Sequence, residues 1–330
     1  MPRPRVVKIT ADLQLAAACR IVSQTNPDIE HAARRLVTAS GKHGIDLTLA
    51  WATIEPGVVR PLRRKVRQAC LAVLGAGRTA MMFLSEPPPE GDPGGESLAL
   101  AERAACIDAA CVYLASQRPQ TVRIAQALPE PEHGWAERAY AMAGFQSVGK
   151  LTYLRRPSGE IPAEVALPGA AKGIRVESFD QARDRVGVER VNGLFCQALD
   201  ASYVDTLDCP ELCGLRATAD VLDSHRATGQ FDPNLWWVVS IGDTAAGCLL
   251  LNPCAENKTV ELVYVGLGKL ARGRGLGKAI LTHGLRVALQ SRQGYEVACA
   301  VDDRNVPARK LYERMGFRES AHRGAFVRPL

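Results

Sequence analysis

The segment from Trp135 to Phe145 (WAERAYAMAGF) is echoed near the end of the chain by Pro307 to Phe317 (PARKLYERMGF), with tyrosine, glycine and phenylalanine in the same places. No gap is needed to extend the match. Arg156-Pro157 follow the first copy at the distance at which Arg328-Pro329 follow the second. A helix-forming run at Leu98 to Ser116 and a strand-forming run at Val122 to Leu128 precede the first copy, in the order seen before the second. A chain of 330 residues exceeds one ordinary core, so two domains of about 150 residues are expected on size alone. Internal duplication makes them two copies of one fold; coincidence in a common helix-glycine-strand unit is the plainer alternative.

Arg155 to Lys172 mixes proline, glycine and alanine without apolar periodicity, as interdomain linkers do. The expected division is therefore 1–155, a linker over 156–171, and 172–330. In the second half the patterns predict strands at Gly173 to Phe179, Leu235 to Ile241, Ala245 to Leu251, Thr259 to Val265 and Tyr295 to Val301, with a last strand ending near Val327. Helices are predicted at Gln181 to Leu199, Leu276 to Gln290 and Val306 to Met315. This is a mixed α/β order, with a mixed sheet flanked by helices in each half.

Hydrophobic residues make up 47% and charged residues 23% of the chain, the balance of a soluble globular protein. No apolar run approaches the ~20 residues that span a bilayer. The basic start Met1 to Lys8 is followed by a stretch broken by Asp12, Gln14 and Arg20, which does not read as an export signal. A cytoplasmic protein is expected. The ten cysteines are too sparse for a disulfide scaffold and form no C-x-x-C pair, so no metal site is expected. The basic cluster Arg60, Arg63, Arg64, Lys65 and Arg67 reads as a solvated face, and no nucleic-acid partner is expected.

Chemistry concentrates in Glu261 to Lys278, where a strand enters a helix through glycines. Gly273, Gly275 and Gly277 let consecutive amides converge on one anion. The helix beginning near Leu276 adds unpaired amides and the positive end of its dipole, while Arg272, Arg274 and Lys278 add charge. A diphosphate suits such a turn. The dinucleotide G-x-G-x-x-G and the P-loop G-x-x-x-x-G-K-[ST] are both absent. What stands there is Arg-x-x-Gly-x-Gly, Arg272 to Gly277. Some 30 residues on, Asn305 to Phe317 reads N-x-x-A-x-x-L-Y-x-x-x-G-F.

Together these two motifs resemble the GNAT superfamily of N-acetyltransferases, over about 150 residues. The resemblance implies two tandem GNAT-like domains and acetyl-CoA as cosubstrate, its pyrophosphate held by Arg272, Gly273, Arg274, Gly275, Leu276, Gly277 and Lys278. It places Val265 and Leu267 where the family's strand bulges, their backbone facing the acyl carbonyl and the pantetheine arm, with Val265 N–H as oxyanion donor. It puts Asn305 against CoA and Tyr312 beside the thioester sulfur as general acid. Tyr312 can equally be an ordinary helix-face aromatic. Glu261 matches a catalytic glutamate of some members, against a solvent-facing strand residue as the alternative; Asp302 and Asp303 are other candidates for the base.

The matching turn of the first half should lie in Ser85 to Glu96. Its prolines lack N–H groups and its acidic side chains oppose a phosphate, so 1–155 is expected to be a degenerate copy. In this it is similar to tandem enzymes of the superfamily that keep one working half. The acceptor wall is expected in Asp200 to Asp232, with Asp200, Asp205, Asp208, Glu211, Asp220 and Asp223; an acidic wall suits a small amine or a peptide N-terminus, while a solvated helical face is the alternative. Of Trp236 and Trp237, at least one is expected in the core. An active enzyme and a CoA-responsive binding module remain the two readings of the whole. Neither acceptor nor oligomeric state is encoded legibly.

Overall fold

The computed structural model describes residues 4–55, 65–92, 94–167 and 173–330. Arg60, Arg63 and Arg64 of the basic cluster, Pro93 and the end of the expected linker lie outside them. The chain divides into two compact units, Met1–Ser147 with Gly324–Leu330, and Val148–Arg323.

In the first unit β1 (Val6–Lys8), β2 (Ala50–Ile54), β3 (Val66–Gly75), β4 (Thr79–Leu84) and β5 (Ile124–Ala127) lie side by side in chain order. Neighbours are antiparallel except β4 and β5. Successive strand residues face opposite sides, and both sides are covered. Ala50, Ala52, Ala69 and Leu71 pack with Leu13, in the turn Ala11–Leu13, and with Ala17 of α1 (Gln14–Ile21), which α2 (Ile29–Ala39) follows. Trp51, Cys70, Ala72 and Met82 pack instead with α3 (Glu96–Ser116) and α4 (Gly134–Met142).

The second unit repeats the plan with β6 (Gln146–Arg156), β7 (Ile174–Ser178), β8 (Trp236–Ile241), β9 (Thr244–Cys254), β10 (Thr259–Leu267) and β11 (Glu296–Asp302), in the order β6-β11-β10-β9-β8-β7. Only β10 and β11 are parallel. Helices α5 (Phe179–Val186), α6 (Val188–Tyr203) and α7 (Thr218–Ala227) cover one face, burying Trp236, Val238 and Leu250. On the other, α8 (Leu276–Gln290) and α9 (Val306–Arg314) bury Trp237, Val239, Leu249 and Leu251. Double burial explains why these strands read as continuous apolar runs. Both tryptophans are therefore core residues, and neither is an acceptor platform.

Two expectations are corrected. Gln181 to Leu199 forms two helices rather than one: Ser178 and Gln181 make a capping box at the start of α5, and Gly187, at φ 90°, breaks the run before α6. The boundaries at 155 and 172 are also displaced. Leu151–Arg156 of β6 pairs antiparallel with Val297–Asp302 of β11 in the second unit. Phe326–Pro329, at the end of β12 (Arg318–Pro329), pairs with β5 in the first. Each half has given its last strand to the other unit's sheet, an exchange that composition does not record. Residues 157–167 carry no helix or strand and fall within the second unit.

Candidate active site

Strand β10 is bonded differently along its two edges. Beside β9 the pairing runs from Thr259 to Leu267, with a bulge at Val263 between the pairs Leu262↔Leu251 and Tyr264↔Leu250. Beside β11 it covers Thr259–Glu261, opposite Glu296–Ala298, and among the described residues stops there. The strands then part. Gly268 N–H donates to Ala246 O at 2.7 Å, and an antiparallel ladder alternates bonded with non-bonded pairs. Gly266 and Tyr264 share that phase, which leaves Val265 and Leu267 with their amides directed away from β9 into the gap. The bulge thus lies earlier than expected, and the extra residue sets the phase that aims Val265 and Leu267.

The glycine turn follows. Gly273 and Gly275 stand at φ 73° and 74°, and Gly275 precedes α8 with no side chain capping the helix. From Gly273 to Lys278 no backbone amide donates to a protein acceptor among the described residues. Six unpaired amides at a helix N-terminus are the arrangement that suits an anion, and the exposed Arg274 and Lys278 lie among them without ion-pair partners among those residues. Arg272 departs from expectation. Its guanidinium is bonded to the carbonyls of Leu267 (2.7 Å), Ser202 (3.0 Å) and Val204 (3.0 Å). Its charge serves the C-terminal end of α6 and the end of β10.

A cavity of about 340 Å³ occupies the gap, lined by Val265, Leu267, Gly277, Asn305, Asp208 and Tyr312 among others. Asn305 caps α9, its Oδ1 accepting Ala308 N–H at 3.3 Å. Tyr312 projects from α9, and its hydroxyl bonds to no protein group among the described residues. Burial holds this phenol well above its ordinary pKa, with Cys299 and Asp208 adding to the effect. It therefore stays protonated, as an acid must.

A second cavity of about 610 Å³ shares the walls Leu262, Val263 and Ala300 with the first, and Glu261 lines it. Burial raises the Glu261 pKa against the pull of Arg155. The other candidate bases are engaged elsewhere. Asp302 is fully buried; although burial opposes its ionisation, hydrogen bonds from Arg304 and from Cys209 N–H hold its pKa low. Asp303 accepts the Thr152 hydroxyl.

The acetyltransferase (GNAT) family model matches residues 205–317. The second unit contains a GNAT-family acetyltransferase domain. Mycothiol acetyltransferase of Streptomyces griseus is 31% identical over 192 residues, 56% of each chain. That of Actinosynnema mirum is 30% identical over 188 residues, 56% of this chain and 58% of the relative. The chain thus spans just over half the length of these curated relatives. A GCN5-related N-acetyltransferase from Sphaerobacter thermophilus has the same fold, with a TM-score of 0.54 and 17% identity over 100% of this chain and 96% of that one.

Within the GNAT domain the acidic segment is largely neutralised. Asp205 pairs with Lys269 at 2.6 Å, Glu211 with Arg304 at 2.6 Å and Asp232 with Arg292 at 2.9 Å, while Asp223 lies 3.9 Å from Arg226. Asp208 instead reaches the first cavity and accepts Asp302 N–H at 2.8 Å. Sequence reasoning did not single out Asp208 or His225, which lines the second cavity; one acid among six and one lone histidine carry no motif. In the first unit Asp92, from the segment matching the GNAT turn, is buried against Arg103 in two hydrogen bonds of 2.9 Å. Its carboxylate acts as an internal anion, not as a repelling surface charge.

Proposed function

We propose that the GNAT domain carries the acetyl group of acetyl-CoA to a primary amine of a small molecule, by direct attack in a ternary complex. The observation that carries this is the parting of β10 from β11, beside which a cavity walled by Val265 and Tyr312 adjoins one walled by Glu261, the two sharing Leu262, Val263 and Ala300. The six amides of Gly273–Lys278 hold the pyrophosphate, with Arg274 and Lys278 at its rim. Val265 N–H donates to the thioester oxygen as negative charge develops there. Leu267 and Asn305 line the path of the pantetheine arm. Glu261 takes the proton of the attacking amine, directly or through water, and Tyr312 gives one to the departing CoA thiolate. A small molecule is favoured over a peptide N-terminus because the curated relatives are named for mycothiol.

The first unit is a copy without donor binding on this reading, because Asp92 and the prolines stand where the turn would be. No helix among the described residues is long and apolar enough to cross a membrane. All ten cysteines are free, which fits work in the reducing cytoplasm. The test is CoA-thiol release from acetyl-CoA over a panel of primary amines, with mass-spectrometric detection of the N-acetyl product. Amine-dependent release is the expected result. Tight binding of acetyl-CoA with no turnover on any amine would leave a CoA-responsive binding module.

A further inference from the structure

The cavity beside Glu261 holds a group that the proposed chemistry leaves idle. His225, in the last turn of α7, lies against the Tyr264 ring, with centroids 5.5 Å apart and 26° between planes. It lines the cavity. Its Nε2 is buried and has no hydrogen-bond partner among the described residues. Burial, with Arg216 nearby, pushes the imidazole pKa down to about 4, so the ring is uncharged near neutral pH.

A buried nitrogen without a partner destabilises a fold. The turn that carries it is nevertheless held firmly. The Trp236 indole N–H donates to Asn252 Oδ1 at 2.7 Å, and Asn252 Nδ2 donates to the carbonyls of His225 at 2.8 Å and Thr228 at 2.5 Å. Asn252 is wholly buried. A side chain that lines a cavity, has its backbone fixed by such a relay and carries one buried nitrogen without a partner is suited to receive a ligand group. Tyr153, Thr228 and Ser320 line the same cavity and bring polar groups to its otherwise largely apolar wall.

We infer that His225 is a specificity-determining contact for the acceptor, its Nε2 bonding a hydroxyl carried by the amine, so that the acceptor belongs to the hydroxylated small amines. This rests on the acetyl-transfer reading of the Glu261 cavity. The probes are serinol (2-amino-1,3-propanediol) and isopropylamine, which share a skeleton and differ only in two hydroxyls. Wild-type protein should show a kcat/KM for serinol at least tenfold above that for isopropylamine. His225→Phe keeps a ring against Tyr264 and removes the nitrogens. It should bring the ratio near one through the KM for serinol, leave the Kd for acetyl-CoA unchanged, and keep Tm equal or higher. His225→Gln should restore part of the preference. A lower Tm with both amines affected alike would make His225 a packing residue, and a ratio unchanged in His225→Phe, or absent in wild type, would overturn the inference. Should neither amine be acetylated, calorimetry on CoA-loaded protein decides separately. Serinol binding that is lost in His225→Phe upholds the inference while acetyl transfer falls; no serinol binding to wild type overturns it.

Discussion

Tyr312 and Tyr140 occupy matching places in the repeat but differ in company. The Tyr140 hydroxyl donates to Met82 O at 2.8 Å inside the first unit, whereas that of Tyr312 stands at a cavity wall with no protein partner among the described residues. Tyr140→Phe should therefore lose about 0.5–1.5 kcal/mol of stability, the net value of one hydrogen bond, and leave acetyl transfer intact in a folded sample. Tyr312→Phe should leave Tm unchanged and lower kcat roughly 100-fold, the usual contribution of a positioned acid; single-turnover kinetics would show it. If kcat stays within about threefold while chemistry limits the rate, Tyr312 is a packing residue. Glu261 works as a base only when ionised, and its pKa is raised, so kcat/KM should rise with pH through a limb above the ordinary glutamate value of about 4.3. Glu261→Gln should flatten that limb. The motif made Tyr312 and Glu261 legible in the sequence, because spacing fixes their places on α9 and β10. His225 was not, because its place depends on the end of α7 held by Asn252, and Asp208 was legible only as one acid of the expected wall, its place at the first cavity depending on the bond from Asp302 N–H.

Among the elements, α8 was legible to the residue, since a glycine N-terminus and an apolar stripe both mark it. Its neighbour β10 was legible as a strand, but its bulge at Val263 was not, because an extra residue shows only against the partner strand. Gly275 links the two. A Cβ added there meets no protein atom within 4 Å, yet φ is 74°. Gly275→Val should thus cost the fold only the strain of a left-handed residue, about 1–2 kcal/mol, while its side chain stands where a diphosphate must approach. Titration calorimetry should show one acetyl-CoA per wild-type chain and affinity at least 100-fold weaker for the variant. A second site that persists in Gly275→Val would place donor binding in the first unit as well.

For the molecule as a whole, the repeat announced two copies of one fold, and composition marked where the chain leaves β6. Neither could say which sheet β6 joins, since a strand's partner is set by long-range pairing. A cut at 155 therefore removes the strand that pairs with β11. Residues 148–330 should be more stable than 156–330, as a lower denaturation midpoint for the shorter fragment would show; equal midpoints would mean that β6 adds nothing to that sheet. The exchange also has a consequence in time. On the ribosome, β5 emerges early, but the residues that cover its edge, 326–329, are made only after the whole second unit. At about 5–20 residues per second the edge stays open for roughly 10–40 s, an interval in which an unpaired strand invites wrong partners. Losing the last seven residues, 324–330, would make that interval permanent, so damage at the end of the chain would be felt in the unit that was made first.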